Sequence, residues 1–69
     1  MIRTPVSSSN ISSIGYDSST STLEVAFNSG GVYQYYNVPD NEYFALMNAS
    51  SHGSYLAKHI KGRYPYQRI

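Results

Sequence analysis

Two alternating runs that face each other across a glycine pair constrain this chain more than any other feature in it. From Thr22 to Asn28, Leu23, Val25 and Phe27 fall on one face and Thr22, Glu24 and Ala26 on the other. A period of two marks a half-buried strand. Ser29-Gly30-Gly31 follows. A three-residue hairpin loop commonly ends in a left-handed conformation, which glycine adopts freely. Val32 to Val38 is then the return strand. This loop sets Asn28 opposite Val32, Phe27 opposite Tyr33 and Val25 opposite Tyr35, so Tyr33 and Tyr35 share the face of Leu23, Val25 and Phe27. A four-residue loop would put Val32, Gln34 and Tyr36 there instead, because a slip of one residue moves every side chain to the other face. The first register is preferred because it keeps Gln34 out of the core, and it leaves Tyr36 on the open face beside Glu24.

The flanks extend this hairpin in both directions. Residues 1–10 are polar, with Ser7-Ser8-Ser9-Asn10, and read as a flexible lead-in to a single domain over 11–69. Ile14 and Tyr16 alternate with polar residues and predict a strand near 11–17, closed by the turn-forming cluster Asp17 to Ser21. After the hairpin, Pro39 cannot donate to a ladder and suits the start of a helix. Asp40 and Glu42 place negative charge in that helix's first turn, where the dipole favours it, and Tyr43, Leu46 and Met47 recur at helical spacing. Ser51 offers an N-cap for a second helix over about 51–61, with Leu56 and Ile60 facing inward and Gly62 as the stop. Arg63 to Ile69 is expected as an extended, docked tail, since Tyr64 precedes a proline. The expected architecture is α+β: a three-stranded antiparallel sheet in the order β-β-β-α-α, both helices on one face, and an extended C-terminal tail.

At 69 residues the chain supports one small core. Domains of this size are marginal and often use disulfides or a metal. With no cysteine, disulfides and thiolate zinc sites are excluded. Eight tyrosines and two phenylalanines supply the packing instead. The N-terminal residues lack the apolar stretch of a secretory signal, and no apolar run approaches a membrane span. A cytoplasmic protein with no membrane contact is expected.

The net charge of +1 announces no bulk field, but its distribution is uneven. Asp17, Glu24, Asp40 and Glu42 lie in the first part of the chain, whereas Lys58, Lys61, Arg63 and Arg68 lie near its end. The ordinary meaning is a solvated basic helix face; the sharper one is a phosphate-binding patch. Catalytic patterns are lacking. No serine sits in a nucleophile elbow, and Gly30-Gly31 has neither the following helix nor the lysine of a phosphate loop. His52 and His59 could share a helix face, but two histidines without a third ligand make a weak metal site. Neither an enzyme nor a cofactor is expected.

The stretch Gly31-Val32-Tyr33-Gln34-Tyr35-Tyr36-Asn37-Val38-Pro39 resembles the central Tyr-x-Tyr and Val-Pro signature of the KTSC domain family. Ala49 to Tyr55, with Gly53, resembles that family's small-residue segment, and Ile60-Lys61 with Tyr64-Pro65-Tyr66 its closing motif. Tyr33, Tyr35, Val38, Pro39 and Gly53 are the structural residues of these motifs. The family is named after the C-terminus of some lysyl-tRNA synthetases. The resemblance implies no catalytic residues and no cofactor, and the company the domain keeps points to RNA.

Two functions from different classes follow. The first is a weak RNA-binding module, for tRNA or structured RNA, with Lys58, Lys61, Arg63 and Arg68 on phosphates and Tyr64 or Tyr66 stacking. The second is a protein-interaction module or small homo-oligomer, motivated by the exposed edge of a small sheet. Of the aromatic residues, Tyr33 and Tyr35 are expected in the core and Tyr64 and Tyr66 at the binding surface.

Overall fold

The computed structural model describes all 69 residues. Five strands form one antiparallel meander: β1 (Arg3–Pro5), β2 (Ile11–Asp17), β3 (Thr22–Phe27), β4 (Val32–Tyr35) and β5 (Tyr66–Arg68), adjacent in the order β1-β2-β3-β4-β5. Between β4 and β5 lie α1 (Asp40–Asn48) and α2 (His52–Tyr55), the latter continuing into a π-helical segment, Leu56–Ile60. The fold is α+β, but the expected three-stranded sheet is corrected to five strands. The two added strands fall within the segments read as lead-in and tail. Each has three residues, too few to show alternation. One ends on Pro5 and the other follows Pro65, and proline is tolerated at a sheet's edges. The tail returns along β4, with the Tyr36 amide donating to the Pro65 carbonyl at 2.8 Å and the Ile69 amide to the Val32 carbonyl at 2.9 Å.

The hairpin closes one step earlier than expected. Val25 pairs with Tyr33 and Leu23 with Tyr35. The Phe27 amide donates to the Gly31 carbonyl at 2.8 Å, so the loop is Asn28-Ser29-Gly30, with the left-handed residue at Gly30 (φ 105°). Relative to the expected register the pairing moves by two residues. An even shift preserves faces, which is why Tyr33 and Tyr35 still join Leu23 and Val25. A bulge between Ile11 and Ser13 turns Ile11 onto that same face, where simple alternation from Ile14 would have sent it away.

This face carries the core. Ile11, Ile14, Leu23, Val25, Tyr35 and Val38 pack against Leu46, Leu56 and Ile60 from the helical layer. The helix ends match their sequence signals. The Pro39 carbonyl accepts from the amides of Glu42 and Tyr43, the Ser51 hydroxyl accepts from the Ser54 amide at 3.3 Å, and Gly62 breaks the π segment at φ 81°.

The opposite face holds a polar row across the sheet: Arg3, Gly15, Glu24, Gln34 and Gln67 in register. Glu24 lies on the central strand and is only 6% exposed. Arg3 donates to its carboxylate at 2.7 Å and Gln34 at 2.9 Å, while the Tyr36 hydroxyl donates to Gln34 at 3.1 Å. Arg3 reaches Glu24 because Gly15 stands between them with no side chain. A Cβ there would lie 2.8 Å from the Ile2 carbonyl oxygen.

Candidate functional site

The helical layer packs on the core face through Leu46, Leu56 and Ile60, and an open hollow remains beside β4 and β5. Register determines what is exposed there. Tyr35 pairs with Tyr66 and Tyr33 with Arg68, so all four side chains issue toward the core face. Phe27 closes the hairpin end of this surface, and the turn at Lys61-Gly62 closes the helical end. The result is an open hollow of about 520 Å³ lined by Phe27, Ser29, Tyr33, Tyr35, Lys61, Gly62 and Tyr66.

Its rings form a cup and not a flat platform. Phe27 meets Tyr33 edge-on, with centroids 5.6 Å apart and planes at 83°. Tyr66 leans at 45° to Tyr33 and 35° to Tyr35. The Lys61 ammonium rests 5.3 Å from the Phe27 centroid, within reach of a cation–π attraction. Arg68 lies beside Tyr33 at the rim, and a Cβ on Gly31 would come within 3.7 Å of its guanidinium.

Tyr35 combines two roles. Its residue is 2% exposed and its ring belongs to the core cluster. Its hydroxyl, however, has no hydrogen-bond partner within the chain, and no polar side-chain atom is both sealed from solvent and unpaired. The hydroxyl therefore opens into the floor of the hollow that the residue lines. Burial pushes this phenol's pKa up, and the nearby Tyr33 and Tyr66 phenols add to the effect.

The six binding residues named from the sequence divide between two places. Lys61 and Tyr66 line the hollow, where Tyr66 is 60% exposed, and Arg68 stands at its rim opposite Tyr33. Tyr64 and Arg63 belong to a second cluster around Glu42. That carboxylate accepts from the Tyr55 hydroxyl and from the Tyr64 hydroxyl, the latter at 2.9 Å. Burial alone would raise Glu42's pKa. The two phenol hydrogen bonds, with the positive charge of Arg63 and His59, outweigh burial and hold it below the usual range. In return the hydrogen bond to Glu42 pushes Tyr55 up to about 12. Tyr64 thus ties the tail to α1 and is not a free stacking ring. Lys58 is exposed on the π segment. The one ion pair in the chain is Arg3–Glu24, on the far face, so none of these four bases is neutralised by a salt bridge.

The motif residues have structural work. Val38 is fully buried, and its amide donates to the Ser21 carbonyl at 2.9 Å. Pro39 caps α1. Gly53 lets the Asn10 side chain pack against α2, since a Cβ there would fall 2.3 Å from the Asn10 Oδ1. Reading from the sequence placed Tyr33 and Tyr35 in the core and passed over the hollow and the part Phe27 and Ser29 play in it. The available signal was a tyrosine, not a phenylalanine, at position 35: a core phenol needs somewhere for its hydroxyl to go.

Comparison with known proteins agrees with the signature in β4. The family model of the KTSC domain matches residues 7–64. The crystal structure of a KTSC domain protein from Yersinia pestis superposes with a TM-score of 0.96 at 43% identity, covering 99% of this chain and 96% of that one. A protein of Stutzerimonas stutzeri is 40% identical over 70 aligned residues, covering 100% of this chain and 99% of its own length. The lysine–tRNA ligase of Trichormus variabilis is 44% identical over 54 residues, which is 78% of this chain and 10% of the ligase. The chain belongs to the KTSC domain family. It spans about a tenth of the length of the lysine–tRNA ligases it matches. No helix is long and apolar enough to cross a membrane.

Proposed function

We propose that this domain binds single-stranded RNA, through the aromatic hollow at the β4–β5 side of the sheet, and that it acts by binding and not by catalysis. The observation that carries the reading is the meeting of Tyr33 and the exposed Tyr66 with Lys61 and Arg68, two cations that no carboxylate neutralises. Unpaired bases bind proteins by stacking on aromatic rings, each worth about 1–3 kcal/mol, while basic side chains track the backbone. The acids lie elsewhere: Glu24 is on the opposite face under Arg3, and Glu42 is engaged by two phenols. Relatives named lysine–tRNA ligase, whose stated substrate is a tRNA, carry a matching segment, which supports an RNA partner. Compared with the expectation from sequence, the proposed target is unpaired and not structured RNA, Tyr33 and Phe27 replace Tyr64, and Lys58 and Arg63 lie outside the hollow.

The test is a binding titration with an unstructured ribo-oligonucleotide at low salt. Lys61→Gln and Tyr66→Ala are each expected to weaken binding about tenfold, corresponding to loss of about 1.4 kcal/mol. Lys58→Gln, made outside the hollow, is the control and is expected to change affinity less than twofold. Equal losses from Lys58→Gln and Lys61→Gln, with none from Tyr66→Ala, would place the contact on general charge and not on the hollow. Absence of any binding at low salt would remove the RNA reading and leave a protein partner as the alternative.

A further inference from the structure

Resting on the RNA reading above, we propose that the hollow accepts one unpaired nucleotide, with its base entering edge-first toward the Tyr35 hydroxyl while Lys61 and Arg68 meet the two phosphates that flank it. Three observations limit the occupant to one nucleotide. The rings around the hollow stand at 35° to 83° to one another, so they cannot present the parallel faces on which successive bases stack. Its volume of about 520 Å³ lies within the size of a small-molecule pocket, roughly 300–1,000 Å³. Only two basic side chains border it, Lys61 in its lining and Arg68 opposite Tyr33 at its rim, whereas Arg63 and Lys58 take no part in the lining.

The floor decides how the base enters. Tyr35 is 2% exposed and its hydroxyl has no partner in the chain. A polar group at that depth favours an occupant that presents a hydrogen-bonding edge. A base provides donors and acceptors along its edge and flat apolar faces for Tyr33 and Tyr66. A phosphate would satisfy the hydroxyl but would leave the rings unused. An aliphatic side chain would cover the rings but would leave the hydroxyl unpaired. Ser29, at the hairpin tip on the wall of the hollow, is placed to meet the ribose.

Tyr35→Phe isolates the claim, because it removes only the hydroxyl and breaks no bond within the protein. The intact chain is titrated with an eight-nucleotide single-stranded RNA and with a nucleoside 5′-monophosphate, at several salt concentrations, using wild type and Tyr35→Phe. Thermal unfolding of the variant is expected to match wild type, and its affinity for the strand to fall roughly fivefold, as for one lost neutral hydrogen bond. Two phosphate contacts give a log–log salt slope of about −1.4, against about −2.8 if all four bases engage. The mononucleotide is expected to compete with the strand and to shift the resonances of Tyr35, Tyr66 and Lys61.

The outcomes separate the two claims. If the strand binds with a slope near −2.8, or Tyr35→Phe binds as tightly as wild type, the single-nucleotide footprint fails and the RNA reading stands. Strand binding that leaves the Tyr35, Tyr66 and Lys61 resonances unmoved overturns both the footprint and the hollow. If the mononucleotide binds and the strand gains nothing over it, the occupant is correct and the RNA reading fails. If neither binds, both are overturned.

Discussion

Replacing Arg3 with methionine removes the guanidinium from Glu24 and keeps most of the stem that covers the sheet. Arg3 lies on a three-residue edge strand, and its side chain is 35% exposed while that of Glu24 is 8% exposed. Breaking a fully buried pair from one side costs about 3–5 kcal/mol, because a charge is left without its partner. An exposed pair is worth about 0–1 kcal/mol. This pair lies between: the carboxylate is enclosed, retains the Gln34 amide at 2.9 Å, and loses its only cation. The expected cost is about 2 kcal/mol, interpolated between those limits. For a domain of this size that lowers Tm by about 8–16 °C. Glu24→Gln removes the charge that needs the cation. In that background Arg3→Met is expected to cost under about 0.5 kcal/mol, which leaves a coupling of about 1.5 kcal/mol in the double-mutant cycle. Urea and thermal denaturation followed by circular dichroism measure all four corners. A loss below about 2 °C, or an equal cost in both backgrounds, would show that Arg3 is not seated on Glu24. It would also remove the main side-chain tie holding β1 to the sheet.

Three further outcomes are expected. Leu46→Ala empties a fully buried site beneath α1 and should cost about 2–5 kcal/mol, enough to unfold much of so small a domain at 37 °C, as circular dichroism would reveal. Gly53→Ala drives a Cβ into Asn10 and should cost about 1–3 kcal/mol in urea denaturation; Asn10→Ala should recover most of that loss, because the two sites share one space. Glu42 titrates below its usual range in the folded state, so its contribution to stability is complete above the ordinary glutamate pKa and is lost as pH falls through the lowered native value. The stability difference between wild type and Glu42→Gln should therefore shrink steadily on acidification, and a difference constant from neutral pH to strong acid would contradict the two-phenol arrangement.

How far the sequence disclosed this molecule depended on the range of the interaction. Local signals were legible. Alternation gave the faces of β3 and β4, Pro39 with Asp40 and Glu42 gave the start of α1, and Ser51 and Gly62 gave the limits of the second helical segment. The hairpin's exact pairing was not legible, because either glycine could take the left-handed position and both choices preserve the faces. The edge strands were missed for a different reason. Three residues beside a proline have no period to read, and they are extended only because a neighbouring strand offers partners. The hollow depends on that missed pairing. Tyr66 meets Tyr33 and Tyr35 only after the tail returns along β4, so charge and aromaticity in the last residues pointed to a segment that borders the hollow, while Tyr64 lies away from it. Its hydroxyl is claimed by Glu42, a residue far away in sequence whose role in the second cluster no local pattern suggested.

The proposed function depends on RNA binding at the β4–β5 hollow. Its most direct test is a residue-resolved NMR titration of the intact domain with an unstructured RNA at low salt. The largest shifts are expected at Phe27, Ser29, Tyr33, Tyr35, Lys61, Tyr66 and Arg68, with Lys58 and the Arg3–Glu24 face nearly unmoved. Shifts centred on Lys58 and Arg63, or on the Glu24 face, would contradict it, as would a spectrum that RNA leaves unchanged.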